Sequence, residues 1–447
     1  CKDEDGKPYE GVVWPGKVHF PDFMKEETQL WFGSKYKILT DCGIEGFWND
    51  MNEPAIFYEP KALDAAIQYA QEQKGKDLDV FSYFELKDNF TNLANKDSYY
   101  KNFYHEIDGK RFSNDEVHNL YGYYMTKSAN LGLTRLLKDK RFLLISRASS
   151  IGMHRYGGIW TGDNSSWWSH LEQNIKMLPS LNMCGFFYIG ADTGGFGGNC
   201  NGELLTRWLQ LSIFTPLLRN HSAIGCNNQE PYVFTEEVLE NTRNLIKARY
   251  SLIPYIYSEY MKAVNNYTLM FKPLSFEFQG TLAEEAEDQI LLGDQLMLAP
   301  VYDSNRRGRY VYFPEEMLEV SFLEEDMTTT IRKKGIHYIG YGLEDLKFFL
   351  RKNSILPYVK PSKNVKELDL KNIEILAYVD DEAIYELYDD DGKSYDSSYS
   401  TNINIVKKTE DYDVKVDNDN PSIENINIKI VDSKNNIKHK EILIRGE

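Results

Sequence analysis

Apolar residues in the first 265 or so positions come in short bursts, separated by longer stretches with helical spacing. Phe23–Thr40 predicts a helix whose apolar side carries Leu30, Trp31, Ile38 and Leu39. Ile44–Trp48 predicts a short buried strand. Arg141–Ser146 (RFLLIS), Gly158–Gly162 (GIWTG) and Gly185–Ala191 (GFFYIGA) predict three more, and Phe214–Leu218 a last one. Between them Val117–Leu137, Trp167–Leu178, Gly202–Leu211 and Thr235–Ala263 have helical periodicity. Fully apolar strands alternating with helices are the pattern of a parallel sheet with both faces covered.

A polar stretch at 58–114, rich in Lys, Asp and Asn, interrupts this alternation after the first strand. A connection that long carries function or structure of its own, and Ala62–Gln73 within it predicts a helix. Beyond about residue 272 the texture changes to short apolar runs at close intervals. Gln289–Leu292, Gln295–Ala299, Arg309–Phe313, Lys347–Leu350, Ile373–Val379 and Ala383–Tyr388 predict antiparallel strands in one or two sandwiches. From about residue 403 Asn, Asp and Lys alternate with Ile and Val, as in a polar-faced edge sheet. The expected organisation is therefore an α/β domain over 1–271 with an insertion at 58–114. A proximal β-sandwich over 272–365 and a distal β-domain over 366–447 follow.

Composition narrows the functional classes. The 447 residues are 42% hydrophobic and 14% aromatic, ample for burial in more than one core. A net charge of −17, from 51 basic and 68 acidic residues, excludes nucleic acid as the expected partner, because phosphates demand clustered Lys and Arg. The 31 tyrosines suit the apolar faces of sugars, and core packing explains aromatics equally well. Cys1, Cys42, Cys184, Cys200 and Cys226 show no metal-type spacing and read as reduced thiols, so neither zinc nor another cofactor is expected. The longest apolar stretch is too short to span a bilayer. The opening Cys1-Lys2-Asp3 reads as the middle of a loop, so a fragment is expected, and the cytoplasm is the expected compartment.

Chemistry gathers at the ends of the predicted strands. Asp50 and Glu53 follow the first, Arg147 follows RFLLIS, Asp163 follows GIWTG, Asp192 follows GFFYIGA, and Arg219-Asn220-His221 follow the last. Each residue alone reads as a cap or turn. Five polar tips on successive strands instead match the layout of a barrel enzyme, whose reactive groups sit at the carboxyl ends of its strands. Paired carboxylates are the usual machinery of glycoside cleavage. Asp50 and Glu53 share one tip, so the partner of Asp50 is sought on another strand, where Asp163 stands out. Asn52-Glu53-Pro54 also resembles the acid/base tip of the retaining β-glycosidases, but that clan needs a second Glu where this chain has Asp192. Asp389-Asp390-Asp391-Gly392 lacks the later Glu of a calcium loop and reads as a turn.

These segments together resemble glycoside hydrolase family 31, in its α-glucosidase branch. Trp48-Asn49-Asp50-Met51-Asn52-Glu53 is similar to the nucleophile signature and Trp160-Thr161-Gly162-Asp163-Asn164 to the acid/base signature. Trp14-Pro15-Gly16, Phe20 to Phe23, Ser146-Arg147, Gly190 to Phe196 and Phe214 to His221 fit as well. The resemblance implies a (β/α)8 barrel of which this chain holds strands four to eight, followed by two C-terminal β-sandwiches. It implies Asp50 as nucleophile and Asp163 as acid/base. Arg147, Asp192 and His221 would bind sugar hydroxyls, and Trp48, Met51, Phe196 and Trp14 would wall the pocket. The implied activity of the full-length form is retaining hydrolysis of terminal α-linked glucose from oligosaccharides. A relative acting on another α-glycoside, a transglycosylase, or a non-catalytic carbohydrate binder are the alternatives. The Met51-Asn52-Glu53 triplet favours glucosides over xylosides.

Overall fold

The chain opens on an antiparallel hairpin, β1 (Glu10–Val13) against β2 (Gly16–His19), with Trp14 at its turn. The computed structural model describes residues 1–323 and 326–444, so the last three positions of the polar C-terminal stretch lie outside the described residues. Two units divide the chain, Cys1–Ile159 and the part from Trp160 onward.

In the first unit the predicted helix at 23–40 breaks at Tyr36 into α1 (Glu26–Lys35) and α2 (Lys37–Thr40). Its burial differs from the expectation: Trp31 and Ile38 are 50% and 70% exposed, while Gln29 and Gly33 are buried. The cause is a close crossing with a later helix. A Cβ on Gly33 or on Gly132 would run into the backbone of the other helix, so the smallest face is the one that packs.

β3 (Gly46–Asn49) starts later than predicted and leaves Ile44 exposed. The 58–114 stretch holds α3 (Pro60–Glu72), α4 (Val80–Thr91) and α5 (Asp97–Lys101), then a hairpin of β4 (Tyr104–Ile107) and β5 (Lys110–Ser113). α6 (Asn114–Leu137) begins where the Glu116 carboxylate accepts the Ser113 N–H at 2.8 Å, which satisfies a donor that the helix start leaves free. β6 (Leu143–Ser146) and β7 (Gly158–Ile159) complete a parallel sheet in the order β3-β6-β7, with Asn49 opposite Ser146.

The second unit continues with α7 (Trp168–Met183), β8 (Asp192–Thr193), α8 (Gly202–Ser212), β9 (Arg219–Asn220) and α9 (Glu236–Asn266). Gly185–Ala191 and Phe214–Leu218, expected as strands, form no ladder. Their apolar side chains Phe186, Ile189, Ala191, Phe214 and Leu217 are buried as the pattern requires. Isolated backbone bonds tie them to neighbouring segments, Thr161 N–H to Gly190 O and Leu217 N–H to Ile189 O. A buried apolar run selects burial, and the ladder needs a neighbour in register. β8 and β9 pair in parallel, with Asp192 opposite Arg219.

Beyond α9 the chain is β-structure. A six-stranded sheet runs in the order β10-β11-β12-β17-β14-β15. It uses β10 (Phe271–Pro273), β11 (Ile290–Leu292) and β12 (Leu296–Leu298). β13 (Gly308–Phe313) belongs to a separate ribbon, and β14 (Met317–Leu323) and β15 (Asp326–Arg332) return to the sheet. β16 (Gly335–Gly340) pairs β13, and β17 (Leu346–Arg351) lies between β12 and β14. Leu291, Met297, Val311, Phe313, Ile339 and Phe349 share its core. β18 (Ser354–Tyr358), β19 (Asn372–Tyr378), β20 (Glu382–Asp389), β21 (Tyr399–Lys407), β22 (Tyr412–Asn418), β23 (Asn425–Val431) and β24 (Ile437–Leu443) form the last two sheets. Their orders are β18-β19-β23-β24 and β20-β21-β22. One pairing departs from the antiparallel expectation: β19 and β23 run parallel, because β20 to β22 form a sheet of their own between them in sequence.

Candidate active site

In the first unit, the tip of β3 is fastened to the tip of β6. Asn52, almost fully buried, donates through Nδ2 to Ser146 Oγ at 2.9 Å and accepts the Ala148 N–H at 3.0 Å. Arg147 N–H donates to Asn49 O at 3.0 Å. These bonds fix where Asp50 and Arg147 leave their strands. Asp50 is half-exposed, and its Oδ1 accepts the Met51 N–H at 2.7 Å and lies 3.1 Å from Arg147 Nη1. Met51 has φ near +58°, unusual for a residue with a Cβ.

Arg147 was expected to bind sugar hydroxyls. Its guanidinium engages carboxylates of its own unit: Nε donates to Glu53 Oε1 at 2.8 Å and Nη2 to Glu53 Oε2 at 2.9 Å. Glu53 orients Arg147 through both of its carboxylate oxygens. A cavity of about 230 Å³ beside Asp50 is lined by Trp14, Phe23, Met51 and Tyr121 among others. Trp14 is 79% exposed at the β1–β2 turn and tilts against Phe57 at 6.1 Å. Trp48, partly buried on β3, is not part of that lining.

The second unit carries the other half of the predicted residues. Asp163 is exposed, on a turn where Gly162 has φ near +76°. Its neighbour Asn164 ties this turn to the β8 tip: Nδ2 donates to Asp192 O at 2.9 Å, and Oδ1 accepts the Phe196 N–H at 3.0 Å. Asp192 is fully buried. Arg219 donates to its Oδ1 through Nε at 2.8 Å and also through Nη2, while Oδ2 has no hydrogen-bond partner among the described residues. Burial pushes the Asp192 carboxyl up from the ordinary Asp range, opposed by the Arg219 charge and hydrogen bonds. Arg219 also lies over the Trp160 ring at 5.5 Å. The His221 ring stacks on Phe196 with centroids 5.3 Å apart and planes at 26°.

The structure thus gathers Asp50, Met51, Arg147 and Trp14 in one unit and Asp163, Asp192, Phe196 and His221 in the other. Sequence reasoning missed the supporting roles of Asn164 and Arg219. For Arg219 a signal existed, since it shares a tip with His221. Among the described residues no group of three or more His, Cys, Asp and Glu is placed to hold a metal. No helix among them is long and apolar enough to cross a membrane.

An α/β scaffold with carboxylates at its strand ends, followed by β-sheets, defines the class, and comparison with known proteins gives the family. Residues 1–259 match the glycosyl hydrolases family 31 TIM-barrel domain, and residues 267–356 match the glycosyl hydrolase family 31 C-terminal domain. The chain belongs to glycosyl hydrolase family 31. It is 33% identical over 398 residues to alpha-glucosidase 2 of Bacillus thermoamyloliquefaciens, covering 88% of this chain and 45% of that protein. It is 32% identical over 406 residues to neutral alpha-glucosidase AB of Dictyostelium discoideum, covering 88% and 39%. The chain therefore spans less than half the length of these relatives. Among solved structures it resembles a family 31 dextranase of Flavobacterium johnsoniae complexed with glucose, with a TM-score of 0.78 and 25% identity over 96% of this chain and 51% of that one. An alpha-1,4-glucan lyase of Gracilariopsis lemaneiformis shares the fold, with a TM-score of 0.78 at 20% identity over 96% and 46%.

Proposed function

We propose that the full-length protein containing this chain is a retaining α-glucosidase that removes terminal α-linked glucose from oligosaccharides. The observation that carries this reading is the Asp50 carboxylate, half-exposed at a strand tip and held through one oxygen by Arg147 and the Met51 N–H, in a chain similar to α-glucosidases. A carboxylate held that way is oriented for attack. Asp163, exposed on its glycine turn, is the acid/base.

In the first step the Asp163 carboxylic acid gives its proton to the glycosidic oxygen. Asp50 attacks the anomeric carbon as the bond to that oxygen breaks, which forms a glycosyl ester. In the second step the Asp163 carboxylate takes a proton from water, the water oxygen attacks the anomeric carbon, and Asp50 leaves as the carboxylate. Two inversions give net retention. Asp192, with its Oδ2 unpartnered and Arg219 on the other oxygen, and His221, flat against Phe196, are assigned to sugar hydroxyls. The five cysteines, all free, favour a reducing compartment such as the cytoplasm.

The test is hydrolysis of a chromogenic α-glucoside by the full-length protein, with the anomer of the released glucose followed by NMR. Release of α-glucose, together with loss of essentially all turnover in Asp50→Ala, is expected. Release of β-glucose, or near-normal turnover in that variant, overturns the assignment.

A further inference from the structure

Gln229 ends the loop that leaves His221, and only 3% of it is exposed. Its side-chain Nε2 lies 2.8 Å from Asn220 Oδ1, 2.8 Å from His221 O, 3.3 Å from Gly195 O and 3.4 Å from Thr193 O. One carboxamide therefore faces oxygens from both tips of the second unit, the one bearing Asp192 and Phe196 and the one bearing Arg219 and His221. The bond to Asn220 is returned, since Asn220 Nδ2 donates to Gln229 O at 2.8 Å. Two N–H protons serve the two short contacts and are shared with the two longer ones.

The need for this donor follows from the backbone. Gly194 and Gly195 have φ near +90° and +91°, a left-handed pair that turns the Thr193 and Gly195 carbonyls toward Nε2. Without the amide, four oxygens would converge with no proton between them, an arrangement that costs the desolvation of each. The tips would separate. Two further contacts join these segments: Ala223 N–H donates to the Phe196 backbone O at 2.8 Å, and the His221 ring stacks on Phe196.

We propose that Gln229 is a positioning residue for sugar binding, holding the Asp192–Phe196 tip in register with the Arg219–His221 tip. It touches no substrate and acts through His221. The proposal rests on the α-glucosidase reading of the same site.

The full-length enzyme carrying Gln229→Met, Gln229→Asn, His221→Ala or the double change Gln229→Met/His221→Ala tests it. Steady-state kcat and KM are measured on an α-glucoside, per active site titrated with a slowly turned-over α-glucosyl fluoride. Gln229→Met is expected to lower kcat/KM at least tenfold per titrated site. Gln229→Asn, which keeps the donor one methylene short, is expected to lose less. On the His221→Ala background the Gln229→Met loss should shrink below threefold, because the residue it positions is gone. A purely structural role would lower the number of titrated sites and leave per-site kcat and KM unchanged. That result, or an equal loss on both backgrounds, overturns the proposal. A wild-type enzyme inactive on every α-glucoside would instead overturn the functional reading on which it rests.

Discussion

Arg147 holds Glu53 by two parallel hydrogen bonds, Nε to Oε1 at 2.8 Å and Nη2 to Oε2 at 2.9 Å, between residues 94 apart in the chain. The remaining terminal nitrogen, Nη1, lies 3.1 Å from Asp50 Oδ1. A planar fork gripped at two points has one orientation, so Glu53 decides where Arg147 meets Asp50.

Glu53→Gln keeps the shape of the side chain and removes one of its two acceptors. In the full-length enzyme it should lower kcat/KM by about tenfold to a hundredfold, with thermal unfolding close to wild type. Arg147→Lys should do at least as much harm, since an ammonium cannot bridge both carboxylates with fixed geometry. Wild-type kinetics in Glu53→Gln would remove Glu53 from the site.

Asp192 offers a pH test. Burial raises its carboxyl above the ordinary range against the pull of Arg219. A raised carboxylate contributes stability that is complete below the ordinary Asp pKa and is lost as pH rises through the raised value. Asp192→Asn imitates the protonated form and removes that dependence. The unfolding free energy of wild type relative to Asp192→Asn should therefore fall as pH rises from about 4, then level off. Urea melts at constant salt read the difference, and a difference that rises with pH would contradict the sign.

Glu316 behaves oppositely. Burial pushes its carboxyl up, but hydrogen bonds from Lys333, Tyr378 and Lys352 outweigh it and bring the pKa down to about 2. Tyr378 Oη is at 2.7 Å and Lys352 Nζ at 2.9 Å. A lowered carboxylate contributes stability that is present above its ordinary pKa of 4.5 and is lost as pH falls toward 2. Glu316→Gln should destabilise the β-domain by about 1–3 kcal/mol at pH 7, discounted for partial solvent screening, and by much less at pH 2.5. Denaturant melts across that range check it. A gap that stays constant with pH would assign the loss to packing alone.

Much of the scaffold was legible in the sequence because burial follows apolar content. Phe186, Ile189, Phe214 and Leu217 are buried where the pattern put them. What the pattern misjudged was hydrogen bonding and facing. GFFYIGA lacks a ladder partner in register, and the apolar side of α1 lost to a glycine-to-glycine crossing with α6. Neither is visible in a one-dimensional pattern, since both depend on the shape of a distant segment.

The sequence by itself determined which chemical groups stand at the ends of the strands. Asp50, Arg147, Asp163, Asp192 and His221 each follow a run rich in apolar residues, and local spacing suffices to find them. Only the tertiary structure decided which of these groups face one another. The parallel register that sets Asn49 opposite Ser146 brings Glu53 to Arg147, and the one that sets Asp192 opposite Arg219 makes that ion pair. Gln229 is the clearest case. Its role comes from four oxygens gathered by folding, and no residue type or spacing near it announces them.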